Sequence, residues 1–256
     1  MESGMLNRGE HSEITSFLGR TVNSELSGNM IDICPVGALT SKPFRYSART
    51  WELSRRKSIS PHDSLGTNLS MQVKNNKVMR VVPLENEEIN ECWISDRDRF
   101  SYEGLNSPDR LTQPMVKLNG QWQATDWANA LALAAQGLTR VKAEHGPDAV
   151  GGLFSANSTI EETFLLNRLV RKFDSNKVDF RLRMQDFSAD THRTGVPWLG
   201  MPIKSVNTLD RILIVGSFLR KDHPLLAARI RQAVKRGAKV SVVHCSDEDL
   251  LMPVTA

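Results

Sequence analysis

Over the first forty residues apolar and polar positions follow no regular period, and Gly4, Gly9, Gly19 and Gly28 punctuate short polar runs. The stretch reads as loops and short turns. The pattern sharpens at Leu69. Leu69-Ser70-Met71-Gln72-Val73 and Val78-Met79-Arg80-Val81-Val82 are strand-like, and Asn75-Asn76 between them tolerates the positive φ of a tight turn. That combination predicts a β-hairpin. From Pro83 to Pro114 the chain is acidic and then rich in Asp, Arg, Ser and Pro, which predicts irregular connecting structure with a turn at Ser107-Pro108-Asp109.

Past residue 110 the period alternates between that of a helix and that of a strand. Asp126 can cap a helix whose apolar face carries Trp127, Ala130, Leu131, Leu133, Ala134, Leu138 and Val141, closed by Gly146-Pro147. Ala149 to Phe154 reads as a buried strand. Ser158 or Thr159 can cap a second helix, with Glu161 and Glu162 at its positive end and Phe164, Leu165, Leu169, Val170 and Phe173 inward. Val178 to Leu182 is a further candidate strand. Arg211 to Val215 is a strong one, followed by Pro224 as first residue of a helix from Leu225 to Arg236, a stop at Gly237, and a last strand from Lys239 to His244. Strand, helix and strand in that rhythm predict a parallel sheet, so the second half is α/β. The sequence ends just after a strand, where such a sheet would continue with a helix, and the fold is expected to be incomplete at both ends.

Composition narrows the class. At 256 residues the chain can bury about 70 to 75% of its unfolded surface, enough for two modest domains. Apolar residues make up 40% and charged ones 24%, and no apolar run approaches the roughly 20 residues of a membrane span. The opening MESGMLNRGEHSEITSF has neither a secretory nor a transit-peptide pattern. The net charge of +4 is small, although Lys42, Arg45, Arg49, Arg55, Arg56 and Lys57 gather in one stretch. No aromatics are interleaved there to stack bases, so a solvated face or a protein interface is expected and nucleic acid is not.

Three widely spaced cysteines, Cys34, Cys92 and Cys245, argue against a disulfide framework and for a reducing compartment. Cys34 stands in Ile33-Cys34-Pro35-Val36-Gly37-Ala38. A cysteine followed by proline closes ferredoxin-type cluster motifs, because the thiolate points at iron while proline, which has no amide hydrogen, turns the chain away. No cysteine precedes it in this chain, so both a metal ligand and a buried apolar cysteine are open readings from spacing. Cys92 has no ligand-spaced partner and reads as structural, as does Cys245, whose neighbour His244 should face the other side of a strand. The loop from Gly216 to His223 joins a strand to a helix start, where α/β sheets bind anions, but it lacks a glycine-rich phosphate pattern. His11, His62, His145 and His192 show no zinc spacing.

Four strings, RGEHSEI, ELSGNMIDICPVGALTSKPFRYSARTWEL, INECWISDRDRFSYEGLNSPDRLTQPM and VGSFLRKDHPLLAARIRQAVKRGAK, resemble consecutive stretches of the large iron-sulfur subunit, or 75 kDa subunit, of NADH:quinone oxidoreductase, respiratory complex I. The resemblance covers essentially the whole chain. It implies the C-terminal remnant of a 4Fe-4S ferredoxin-like domain at 1–43, a hairpin-containing connecting subdomain without cluster cysteines at 44–110, and a truncated molybdopterin-oxidoreductase-like α/β domain at 111–256. By it Cys34 matches the last of four ligands of a 4Fe-4S cluster, its three partners lying upstream of Met1. A further cluster of some family members is expected to be absent, since Ser60 to Thr67 and Ser95 offer no thiolate. No catalytic residue and no molybdopterin are expected.

The implied role is electron relay from NADH and flavin towards quinone, beside the flavin/NADH-binding subunit and the quinone-module subunits. The implied place is peripheral, on the cytoplasmic face of a bacterial inner membrane or the matrix face of the mitochondrial one. Two other readings stand beside it. One is a molybdopterin-dependent oxidoreductase of the formate dehydrogenase or nitrate reductase type, holding a pterin phosphate at the Gly216 to His223 loop. The other is a non-catalytic scaffold module.

Overall fold

The computed structural model describes residues 3–16, 19, 21–181, 186–192 and 194–255. The chain divides into two compact units, one of Met1–Ser107 with Pro197–Ala256 and one of Pro108–Val196. Each is described by itself.

The first forty residues hold more order than their pattern suggests. Strands β1 (Ser3–Leu6) and β2 (Glu13–Ser16) pair antiparallel across a turn in which Asn7 and Gly9 take positive φ. A 3-10 turn at Ser27–Asn29 leads into the short helix α1 (Met30–Ile33). The predicted hairpin forms as β4 (Asn68–Lys74) and β5 (Lys77–Pro83), with Asn75 and Asn76 at φ 49° and 59°. A third strand that the sequence pattern does not announce, β3 (Ser54–Ile59), runs antiparallel along β4 and makes a sheet of order β3-β4-β5. Its sequence, Ser-Arg-Arg-Lys-Ser-Ile, hides it because its basic side chains lie exposed at a sheet edge, where charge is a normal feature. Helix α2 (Asp96–Phe100), capped by Ser95, packs Ile94 and Tyr102 onto Leu69 and Val81 to form a core.

In the second unit the hairpin β6 (Met115–Leu118) and β7 (Gln121–Ala124) turns at Asn119-Gly120, both at positive φ. Helix α3 (Trp127–His145) starts at the Asp126 cap, whose carboxylate accepts from Asn129 N at 2.8 Å, and ends at Gly146. Strand β8 is only Gly152–Leu153, so the run predicted from Ala149 to Phe154 is mostly a 3-10 turn and loop. Helix α4 (Ile160–Lys172) begins in a capping box between Thr159 and Glu162. Strand β9 (Val178–Asp179) pairs parallel with β8, and the predicted end at Leu182 lies outside the described residues.

The expected inward face of α4 is corrected by the structure. Phe164, Leu165 and Leu169 are exposed and only Val170 is buried. Among the described residues none of α3 is buried. Amphipathic periodicity set these faces, but a two-stranded sheet is too narrow to cover them.

The chain then returns to the first unit. Strands β10 (Arg211–Val215) and β11 (Lys239–Val243) pair parallel, with α5 (Leu219–Asp222) and α6 (Pro224–Lys235) between them. Ile214, Ala227, Ile230 and Val240 form their core. In place of the parallel sheet expected from the rhythm of elements, the described residues form two separate parallel pairs, β8-β9 and β10-β11. Arg229 fastens α6 to the 84–91 loop through the carbonyls of Glu87 (2.8 Å) and Ile89 (2.9 Å) and an ion pair with Glu91 at 3.2 Å.

Candidate functional site

Cys34 lies at the C-terminal end of α1, its N–H donating to Met30 O at 3.1 Å. Its φ and ψ, −70° and 104°, are extended. This is what a residue before proline requires, since the Pro35 ring excludes the helical region. Three residues on, Gly37 takes φ 68°, a left-handed turn that glycine adopts without strain. Main-chain N–H groups now face the thiol. They hold it below its ordinary pKa, Leu39 first, with burial opposing and Ala38, Val36 and Gly37 adding. The arrangement stabilises a thiolate, the form that ligates metal.

The segment bearing Cys34 is clamped from the far side of the unit. Asn29 Nδ2 donates to Ile94 O at 2.7 Å, and Ile94 N donates to Asn29 Oδ1 at 3.1 Å. Asp96 accepts from Gly28 N at 2.7 Å and from the Ser27 hydroxyl at 2.6 Å. Arg99, 4% exposed, donates to Asn29 Oδ1 at 3.2 Å and ion-pairs with Asp32, two residues before Cys34. Residue 28 must be glycine here, because a Cβ would lie 2.7 Å from Arg99 Cδ and 2.9 Å from Asp96 Oδ1. Sequence reasoning does not reach these partners, since they sit some 65 residues away and no local period marks them.

The side chains of Ser60, His62, Asp63 and Thr67, and that of Ser95, are engaged in hydrogen bonds within the protein. The Ser60 hydroxyl donates to Asp98 Oδ1 at 2.6 Å and the Ser95 hydroxyl to Asp98 Oδ2 at 2.8 Å. Burial raises the pKa of Asp98 against the pull of those two hydroxyls. Thr67 donates to Asp63 at 2.7 Å, and the His62 ring meets the Ser101 hydroxyl at 2.9 Å. Among the described residues no group of three or more His, Cys, Asp or Glu is placed to hold a metal.

The loop from Gly216 to His223 keeps its cations for internal use. Arg220, 4% exposed, pairs with Glu25 at 2.6 Å, Asn23 Oδ1 at 2.8 Å and Asp249 O at 3.1 Å. Lys221 pairs with the same Glu25. Burial opposes charge on Glu25, but Lys221 and Arg220 outweigh it and hold the carboxyl below its ordinary value. Arg220 is thus engaged by internal partners, while the Lys221 side chain stays half exposed.

Cys92 and Cys245 are both exposed, so neither is the buried packing cysteine that a structural role would make it. His244 and Cys245 fall beyond the end of β11, and His244 instead engages Ser246.

With the geometry in place, comparison with known proteins assigns the segments. The family described as NADH-quinone oxidoreductase subunit 3, ferredoxin-like domain, matches residues 1–40. The NADH-ubiquinone oxidoreductase NDSU1/NuoG-like, 4Fe-4S domain, matches 53–103, where Cys92 is the one cysteine. Molybdopterin oxidoreductase matches 110–248. The G subunit of NADH-quinone oxidoreductase from Rickettsia felis is 42% identical over 93% of this chain and 34% of its own length. The mitochondrial NADH dehydrogenase [ubiquinone] iron-sulfur protein 1 of Solanum tuberosum is 40% identical over 94% of this chain and 32% of its own. Acetylene hydratase from Pelobacter acetylenicus shares the fold, with a TM-score of 0.54 and 13% identity over 76% of this chain and 28% of that one. The chain spans about a third of the length of the curated relatives it matches. It belongs to the family of the NADH-quinone oxidoreductase G subunit and its 75 kDa counterparts, with ferredoxin-like sequence leading into a molybdopterin-oxidoreductase segment.

Proposed function

We propose that the chain is part of an iron-sulfur electron-transfer subunit of NADH:quinone oxidoreductase and that Cys34 supplies one of four thiolates to a 4Fe-4S cluster. The observation that carries this reading is the match of residues 1–40 to the ferredoxin-like domain of NADH-quinone oxidoreductase subunit 3, with Cys34 set in its Cys34-Pro35-Val36-Gly37 turn. A soft, ionised sulfur fits such a ligand set. The other three ligands are assigned to sequence outside these 256 residues. When bound, the cluster supplies storage and release of single electrons.

The chain's own part is to hold one sulfur ionised and in place. Gly37 aims the amides, Pro35 turns the backbone away, and Asn29, Asp96 and Arg99 fix α1 to the body of the unit. The domain limits proposed are 1–43, 44–110 and 111–256. The exposed basic stretch from Lys42 to Lys57, which runs into β3, is assigned to docking against the flavin/NADH-binding or quinone-module subunits. No helix of the described residues is long and apolar enough to cross a membrane, which suits a peripheral arm on the cytoplasmic or matrix side.

The test is Cys34→Ser in the complete parent complex. Iron and acid-labile sulfide should fall together with one electron paramagnetic resonance signal and with NADH-to-quinone activity. Unchanged iron and an unchanged spectrum would overturn the assignment. Of the two competing readings, the pterin enzyme is disfavoured by the pairing of Arg220 with Glu25, and molybdenum analysis of the parent checks it.

A further inference from the structure

Arg55, Gln72 and Arg80 are neighbours in register across β3, β4 and β5, and Arg99 of α2 holds the carboxylate of Asp32, two residues before Cys34. Arg80, on β5, lies over the Phe44 ring at 4.3 Å and donates from Nε to Gln72 Oε1 at 2.7 Å. Phe44 is buried on the C-terminal side of Cys34, and Arg99 grips Asp32 on the N-terminal side. Burial pushes the Arg80 guanidinium below its ordinary value. Asp32 opposes that, and the like charges of Arg55 and Arg99 add to it, so all four groups lie within electrostatic reach of one another. Positive charge is in excess there.

We infer that Arg80, seated between Phe44 and Asp32 with Arg99 and Arg55 around it, is a tuning residue that favours the reduced state of the cluster held by Cys34. The inference rests on the ligand reading above. The physics is elementary. Adding an electron to a thiolate-bound cluster adds negative charge, and a fixed cation in a half-buried site stabilises that charge more than it would in water. Arg80 suits the task because its stacking and its bond to Gln72, which is 5% exposed, leave its charge fixed in position. Arg99, by contrast, carries the packing of Gly28 and Asn29, so its removal would confound charge with structure.

The experiment is a redox titration, in the complete parent complex, of the resonance signal that Cys34→Ser abolishes. Arg80→Gln should keep its iron and lower the midpoint potential, with the reduced-to-oxidised ratio at fixed potential falling roughly tenfold, about 59 mV for one electron. Arg80→Lys, which keeps the charge, should restore most of it. An unshifted potential in Arg80→Gln with full iron content overturns the inference, as does an equal shift in both variants. Should Arg80→Gln lose iron, Arg80→Met, which keeps most of the side-chain length without the charge, takes its place, and an unshifted potential in it overturns the inference. If Cys34→Ser abolishes no signal, it is the ligand assignment that has failed.

Discussion

The side chain of Asn29 pairs with both main-chain groups of Ile94, at 2.7 and 3.1 Å, and so stands in for a strand neighbour to a residue that is fully buried. Together with the bonds of Asp96 to Gly28 and Ser27 and of Arg99 to Asp32, this contact joins the helix carrying Cys34 to α2 and the loop leading into it. Asn29→Ala would strand a buried amide and a buried carbonyl, at a cost of about 2 to 4 kcal/mol. Denaturant unfolding should show the midpoint falling accordingly, and a loss below about 1 kcal/mol would mean that water replaces the amide.

Gly28 and Gly137 make a paired test of space. At Gly28 a methyl group collides with Arg99 and Asp96, and Gly28→Ala should destabilise by about 1 to 3 kcal/mol. Gly137 lies inside α3 with nothing within 4 Å of where a methyl group would sit, and Gly137→Ala should stabilise by up to about 1 kcal/mol through helix propensity. Thermal unfolding of the two variants should therefore move in opposite directions.

Glu25 joins two cations, Arg220 and Lys221, and removing its charge leaves a buried guanidinium short of a partner. Glu25→Gln should cost about 3 kcal/mol at neutral pH. The sign of the pH effect follows from the lowered carboxyl. Its contribution is fully present above the unfolded-state value of 4.5 and is lost as pH falls through the lower folded-state value. The gap between wild type and Glu25→Gln should accordingly narrow on acidification and stay constant from about pH 6 to 8, as stability measurements across that range would show.

Cys34 and Cys92 differ in thiol acidity in opposite senses. The amides of Leu39 and its neighbours lower Cys34, whereas partial desolvation of the otherwise exposed Cys92 and then the charges of Glu91, Glu87 and Glu85 raise it. In the cluster-free chain at about pH 7.5, iodoacetamide should modify Cys34 roughly threefold faster or more, because the thiolate is the reacting form. Gly37→Ala, strained at φ 68° though not crowded, should slow Cys34 and leave Cys92 unchanged, with peptide mass spectrometry following both rates.

Helix caps and turns are legible because their signals are local. Asp126, Thr159, Pro224 and Gly237 each act within one turn of the backbone, and the Asn75-Asn76 hairpin closes within a few residues. The Asn119-Gly120 hairpin carries an equally local signal that the reading by hydrophobic period overlooks, although an Asn-Gly pair is among the strongest of hairpin marks. Strand β3 escapes the same reading because an edge strand bearing Arg55, Arg56 and Lys57 has no apolar period to detect.

At Cys34 the sequence determined the local backbone, because a residue before proline is held extended and Gly37 can take positive φ, while its ligand role came from the resemblance of the surrounding string. The order of helices and strands after residue 110 was likewise written in period and caps. Only the folded chain decided that Arg220 pairs with Glu25, that Asp98 gathers Ser60 and Ser95, that Arg80 stacks on Phe44 and that Arg99 holds Asp32. A charged side chain reads the same in sequence whether it meets solvent, ligand or a distant carboxylate. Its partner is chosen by burial, which makes an unpaired charge too costly to leave inside, and burial exists only once segments far apart in sequence have packed together.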